Sequence, residues 1–108
     1  MKISILLPYK ENFSPEYPGA VSLFINDTTL ISKYKKCIKV YGSTIYKKKF
    51  KIPYVNIDLK NRIIRSQSKE YIDKFVKHEI LRHSDLIEIH NRPIYLKILI
   101  NKLNKRNY

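Results

Sequence analysis

The sequence predicts an α/β fold, a parallel sheet with flanking helices, laid out as one domain over residues 1–108. Three observations predict it. Short apolar runs alternate with stretches of helical periodicity along the chain. The first run, Ile3 to Leu7, is almost continuously apolar, the pattern of a strand buried on both faces of a parallel sheet. The helical stretches are long enough to carry the chain back for parallel pairing, by right-handed crossovers.

The first strand is expected at residues 2–7. Pro8, Pro15 and Pro18 punctuate a polar and aromatic segment and make it a loop. Gly19-Ala20 then opens a helix near 20–32, with an apolar face expected at Val21, Phe24, Ile25, Thr28 and Ile31, spaced by three and four. Lys33, Lys35 and Lys36 suit its carboxyl end through the helix dipole. Ile38, Val40 and Tyr41 give a strand at 38–42, closed by Gly42-Ser43. Residues 44–53 read as a basic connector, and Tyr54-Val55-Asn56-Ile57 as a short further strand.

Ser66 or Ser68 can cap a helix near 67–81 that carries Ile72, Phe75, Val76 and Ile80 on one side. Asp85 starts a strand at 85–90. A last helix near 93–103 carries Tyr95, Leu96, Ile98, Leu99 and Leu103, and Pro93 suits its first turn, where a missing N–H costs nothing. The strands at 2–7, 38–42 and 85–90 are expected to be neighbours. Residues 101–108 read as a chain that stops between a helix and the next strand. The expectation is therefore an incomplete N-terminal domain with no second domain, whose uncovered sheet edge invites self-association.

Composition narrows the function classes. Apolar residues make up 44%, too many for a disordered chain. The single cysteine, Cys37, excludes an internal disulfide framework and a Cys-based zinc cluster. His78 and His83 lie without a carboxylate–His pattern and read as surface residues, so no metal site is expected. The apolar run at 3–7 is too short for a signal-peptide core or a membrane span, which points to a cytoplasmic location. The net charge of +13 suits nucleic acid or an anionic membrane. Only Lys47-Lys48-Lys49 and Lys51 form a dense run, however, and the scatter of the other lysines favours a solvated face over a nucleic-acid footprint.

Ligands of open parallel sheets collect at the carboxyl ends of strands, beside helix N-termini. Three corners fall there: Pro8 to Ala20, Gly42-Ser43, and His90 to Pro93. Gly19 at a helix start lets backbone approach a ligand closely, or it merely allows the loop to turn. His90, Asn91 and Arg92 follow an apolar strand, and all three can hydrogen-bond sugar hydroxyls or phosphate oxygens. The alternative is a helix-capping corner with no ligand. Strand alternation puts Ile87 and Ile89 on one face and Glu88 with His90 on the other.

The opening "MKISILLP", the proline-rich loop and "GAVSLFINDTTLI" resemble the start of retaining glycosyltransferases of the GT-B fold, family 4. The stretch "SDLIEIHNRPIYLKIL" is similar to that family's strand ending in D, two apolar residues, two variable residues and H-N-R-P, the form found in bacterial enzymes of lipopolysaccharide and other envelope glycans. The resemblance covers essentially the whole chain. It implies a Rossmann-like acceptor-side domain, with Gly19 and Ala20 in the loop near the donor phosphates. His90, Asn91 and Arg92 would line the cleft wall, with His90 the candidate proton-transfer group. A nucleotide-sugar would be the co-substrate, with no bound metal and no other cofactor, and a glycan or lipid-linked molecule the acceptor. Lys47 to Lys51 would face an anionic membrane from the inner side. The family's donor-binding domain, with its basic residues and paired glutamates, has no counterpart here, so this chain is not expected to transfer sugar alone. The rival reading is a small basic nucleic-acid-binding protein using Tyr46, Lys47 to Lys49, Phe50 and Lys51 as an aromatic-basic strip.

Overall fold

Strand pairing fixes the architecture. The computed structural model describes residues 1–59, 67–90 and 92–104. In chain order they form β1 (Ile3–Leu6), α1 (Ala20–Leu30), a 3-10 turn (Lys35–Cys37), β2 (Ile38–Gly42), β3 (Tyr54–Asn56), α2 (Gln67–Arg82), β4 (Leu86–Ile89) and α3 (Pro93–Asn104). The strands lie in the order β3-β2-β1-β4, and every neighbouring pair is parallel. Ile3 stands opposite Ile38 on one side and Leu86 on the other; Leu6 stands opposite Tyr41 and Ile89. The strands expected at 2–7, 38–42 and 85–90 are therefore neighbours, and the fold is a Rossmann-like α/β fold.

Period-two alternation splits the core across the sheet. On one face Ile3, Ile5 and Leu7 join Ile38 and Val40 under Ile25 of α1, with Phe13 and Ile52 from the loops. On the other face Leu6 and Tyr41 pack under Tyr71, Ile72, Phe75 and Val76 of α2 and Tyr95 and Leu99 of α3. β1 is buried along its whole length because both of its edges are paired and both of its faces are covered. β4 has a partner on one edge only, and its burial alternates between exposed and half-buried.

The face of α1 differs from the expected one. The helix buries Ser22, Ile25 and Thr29, whereas Phe24 is 58% exposed and Ile31, just past its end, is 87% exposed. The apolar residues of α1 spread over a wide arc, from Leu30 and Leu23 through Phe24 to Val21 and Ile25, so periodicity alone does not choose the side. The sheet takes the side of Ser22, Ile25 and Thr29, and Ile25 joins the core with residues of β1 and β2. The helix ends at Leu30, so Lys33, Lys35 and Lys36 lie beyond its last turn.

α2 carries a buried carboxylate on its apolar stripe. Glu79 Oε1 accepts from the Ser84 N–H at 2.7 Å, and Oε2 accepts from the hydroxyls of Ser84 at 2.9 Å and Ser4 at 3.1 Å. Arg82 donates from Nε to Ser4 Oγ at 3.1 Å and from Nη2 to the carbonyls of Ile3 and Cys37. This network ties α2 to the amino ends of β1, β2 and β4, satisfying charges that burial would otherwise penalise. It lies at the opposite end of the sheet from the three candidate corners.

Candidate functional site at the carboxyl edge of the sheet

The segment after β1 is pinned from several directions. The Tyr71 hydroxyl donates to the Leu7 carbonyl at 2.7 Å, and the Tyr9 N–H donates to Tyr95 Oη at 3.0 Å. Phe13 turns inward against Phe50 and Tyr54, edge to face, with ring centroids 5.0 and 5.5 Å away. Burial raises the phenols of Tyr71 and Tyr54 above their ordinary range. Neighbouring Tyr54, Tyr95 and Tyr9 add to the shift at Tyr71, and Asp58 adds to that at Tyr54. Both therefore serve as neutral hydrogen-bonding groups at neutral pH.

Gly19 is the N-cap of α1 in extended backbone, and Ala20 is the exposed first residue of the helix. The first turn does not stand bare. Glu11 reaches back from the loop, and its Oε2 accepts from the Ser22 N–H at 3.1 Å. A Cβ at position 19 would collide with that carboxylate, so glycine here makes room for an internal anion. Gly42, at the second corner, is closed over by the Tyr54 hydroxyl and the Leu7 side chain, 3.0 and 3.1 Å from where a Cβ would stand. Thr44 seals that corner, donating from its N–H to Asn56 Oδ1 and from its hydroxyl to Asn12 Oδ1.

His90 follows β4 directly, at the carboxyl end of the strand. Its Nε2 lies 2.6 Å from Glu88 Oε2, two residues back on the same face. The side chain of His90 is 21% exposed and that of Glu88 45%. The His90 ring also meets the Phe24 ring of α1 edge to face, at 6.3 Å between centroids. The structure thus joins His90 to the helix that Gly19 opens. Arg92 is exposed, and its carbonyl accepts the Tyr95 N–H at 3.0 Å, opening α3 in the capping manner. Asn91 and Ser66, both singled out in the sequence, lie outside the described residues.

Sequence reading alone did not pick out Glu11 or Glu88 as working parts of these corners. Alternation did put Glu88 on the face of His90, which was the available signal. Nothing local marks Glu11, because its partner lies eleven residues away. In the basic connector, Phe50 packs on Phe13 and Lys49 Nζ bonds the carbonyls of Tyr46 and Lys47, while Lys47, Lys48 and Lys51 are exposed. Among the described residues no helix is long and apolar enough to cross a membrane, and no three His, Cys, Asp or Glu side chains are grouped to hold a metal ion. No family model matches the chain, and neither a curated protein nor a solved structure matches it.

Proposed function

We propose that this chain is the acceptor-side domain of a nucleotide-sugar-dependent glycosyltransferase of cell-envelope glycans, working with a donor-binding domain at the cytoplasmic face of a membrane. The observation that carries this reading is the contact between His90, at the carboxyl end of β4, and the helix opened by Gly19, on an all-parallel sheet. Ligands of such sheets collect at that edge. An imidazole in reach of solvent beside a strand end suits contact with an acceptor hydroxyl and, in the complete enzyme, movement of its proton. Ala20 and Arg92 flank the same edge and are exposed. Exposed Lys47, Lys48 and Lys51, beside Ile45 at 90% exposure, suit an anionic lipid surface.

The rival nucleic-acid reading is weaker because half-buried Phe50 packs its ring on Phe13 and Tyr46 packs on Tyr17, so both aromatic rings of the strip already have partners. One titration separates the two. Backbone amide shifts would be followed with a lipopolysaccharide core oligosaccharide, with a uridine diphosphate sugar and with a single-stranded oligonucleotide. The expected result is a saccharide-dependent shift at His90 and at residues 19–24. Binding of the oligonucleotide alone, weakening by roughly 10³-fold between about 50 and 200 mM salt, would overturn the proposal.

A further inference from the structure

We infer that Glu88 is a positioning residue that fixes one tautomer of His90, so that Nδ1 accepts a pyranoside hydroxyl while the Phe24 ring carries the sugar's apolar C–H face. The inference rests on the acceptor-side reading above and adds two residues and a ligand chemistry to it.

An ionised carboxylate can only accept hydrogen bonds. At 2.6 Å from Glu88 Oε2, Nε2 of a neutral His90 must therefore carry the ring proton. Nδ1 is then the atom with a free lone pair, able to accept from a hydroxyl. The pair is local: Glu88 in β4 and His90 just past its end lie two residues apart, so the contact needs no long-range coincidence. With Glu88 nearly half exposed, the pair adds little to stability. Its consequence is orientation of the ring.

Phe24 supplies the second half. A large aromatic side chain left 58% exposed, on a helix with smaller residues turned to the sheet, stands directly beside the His90 ring. An apolar ring next to a hydroxyl acceptor matches a pyranose, which presents an apolar C–H face and a rim of hydroxyls. A phosphate at this pair would sit beside the Glu88 carboxylate, 2.6 Å from His90 Nε2, which opposes a second anion there.

The test uses the full chain and methyl α-glycosides of glucose, galactose and mannose as probes. Long-range proton–nitrogen correlation spectra at roughly pH 8, above the ordinary histidine range, report which ring nitrogen of His90 holds the proton. In the native chain a single Nε2–H tautomer is expected. Glu88→Ala should give an exchanging mixture and weaken glycoside binding about tenfold, the scale of one ordered hydrogen bond. Glu88→Gln, whose amide can accept or donate, should restore the Nε2–H tautomer and the binding only in part. Phe24→Ala should weaken binding similarly with the tautomer intact. Mixed tautomers in the native chain would overturn the role of Glu88 whatever binds. A fixed tautomer with no glycoside-dependent shift would overturn the pyranoside assignment. The core-oligosaccharide titration judges the acceptor reading separately, because a shift at His90 and residues 19–23 can arise whichever tautomer His90 holds.

Discussion

At the scale of single residues, the carboxyl edge is held by groups whose role depends on staying neutral or staying paired. Tyr71 is buried and donates its proton to the Leu7 carbonyl, and burial raises its phenol well above the ordinary value of about 10. Between that value and the native one, the unfolded chain has released the proton and the folded chain still holds it. The contribution is therefore complete below about pH 10 and is lost as pH climbs toward the native value. Tyr71→Phe should cost about 1–2 kcal/mol in urea unfolding at neutral pH, the cost of a buried carbonyl left without its donor. It should also flatten the fall in stability above pH 10. A variant with unchanged neutral stability and an equally steep alkaline fall would remove Tyr71 from this account.

At the scale of elements, α1 shows that helical periodicity does not identify a buried face when apolar residues spread over a wide arc. Ile25, 1% exposed, is the large side chain that α1 adds to the core with β1 and β2, whereas Phe24 is 58% exposed. Ile25→Ala should cost about 2–4 kcal/mol, the range for deleting a large aliphatic group from a packed core. Phe24→Ala should stay within about 1 kcal/mol of the native chain. Urea midpoints of the two variants measure the difference, and equal losses would mean that α1 sits in a different rotation. α2 solves the opposite problem. Its stripe includes Glu79, which would be prohibitive on an apolar face without the donors of Ser4 and Ser84. That one carboxylate links α2 to Ser4 of β1 and to Ser84 in the turn into β4.

At the scale of the whole molecule, the sheet among the described residues has two open edges, β3 and β4. Exposed apolar side chains lie on this open strand and on the helices: Leu86 on β4, Phe24 of α1 beside His90 at the strand's end, and Ile94, Leu96 and Ile100 on α3, which follows β4 in the chain. Such an edge invites pairing with another chain, and a net charge of +13 opposes it. Raising salt screens the repulsion and leaves the apolar term in place. Light scattering should therefore show mass rising with protein concentration, more steeply at about 500 mM salt than at about 50 mM. A concentration-independent monomer at both salts would show that the edge is protected as it stands.

Much of this organisation was legible in the chain. The unbroken apolar run at 3–7, the alternation of periods and the proline at 93 led to the three neighbouring parallel strands and to helices at nearly the observed bounds, because these signals are local and each residue type acts through its own backbone and solvation. His90 at a strand end was legible for the same reason, and alternation put Glu88 on its face. What only the tertiary structure decided were pairings between distant segments: the rotation of α1 over the sheet, Glu11 at the first turn of α1, Glu79 among Ser4, Ser84 and Arg82, and Phe24 against His90. A carboxylate or a phenylalanine reads the same in sequence whether it faces water or a partner many residues away. Which it meets is set by the close packing of whole elements, where many small contacts are satisfied together.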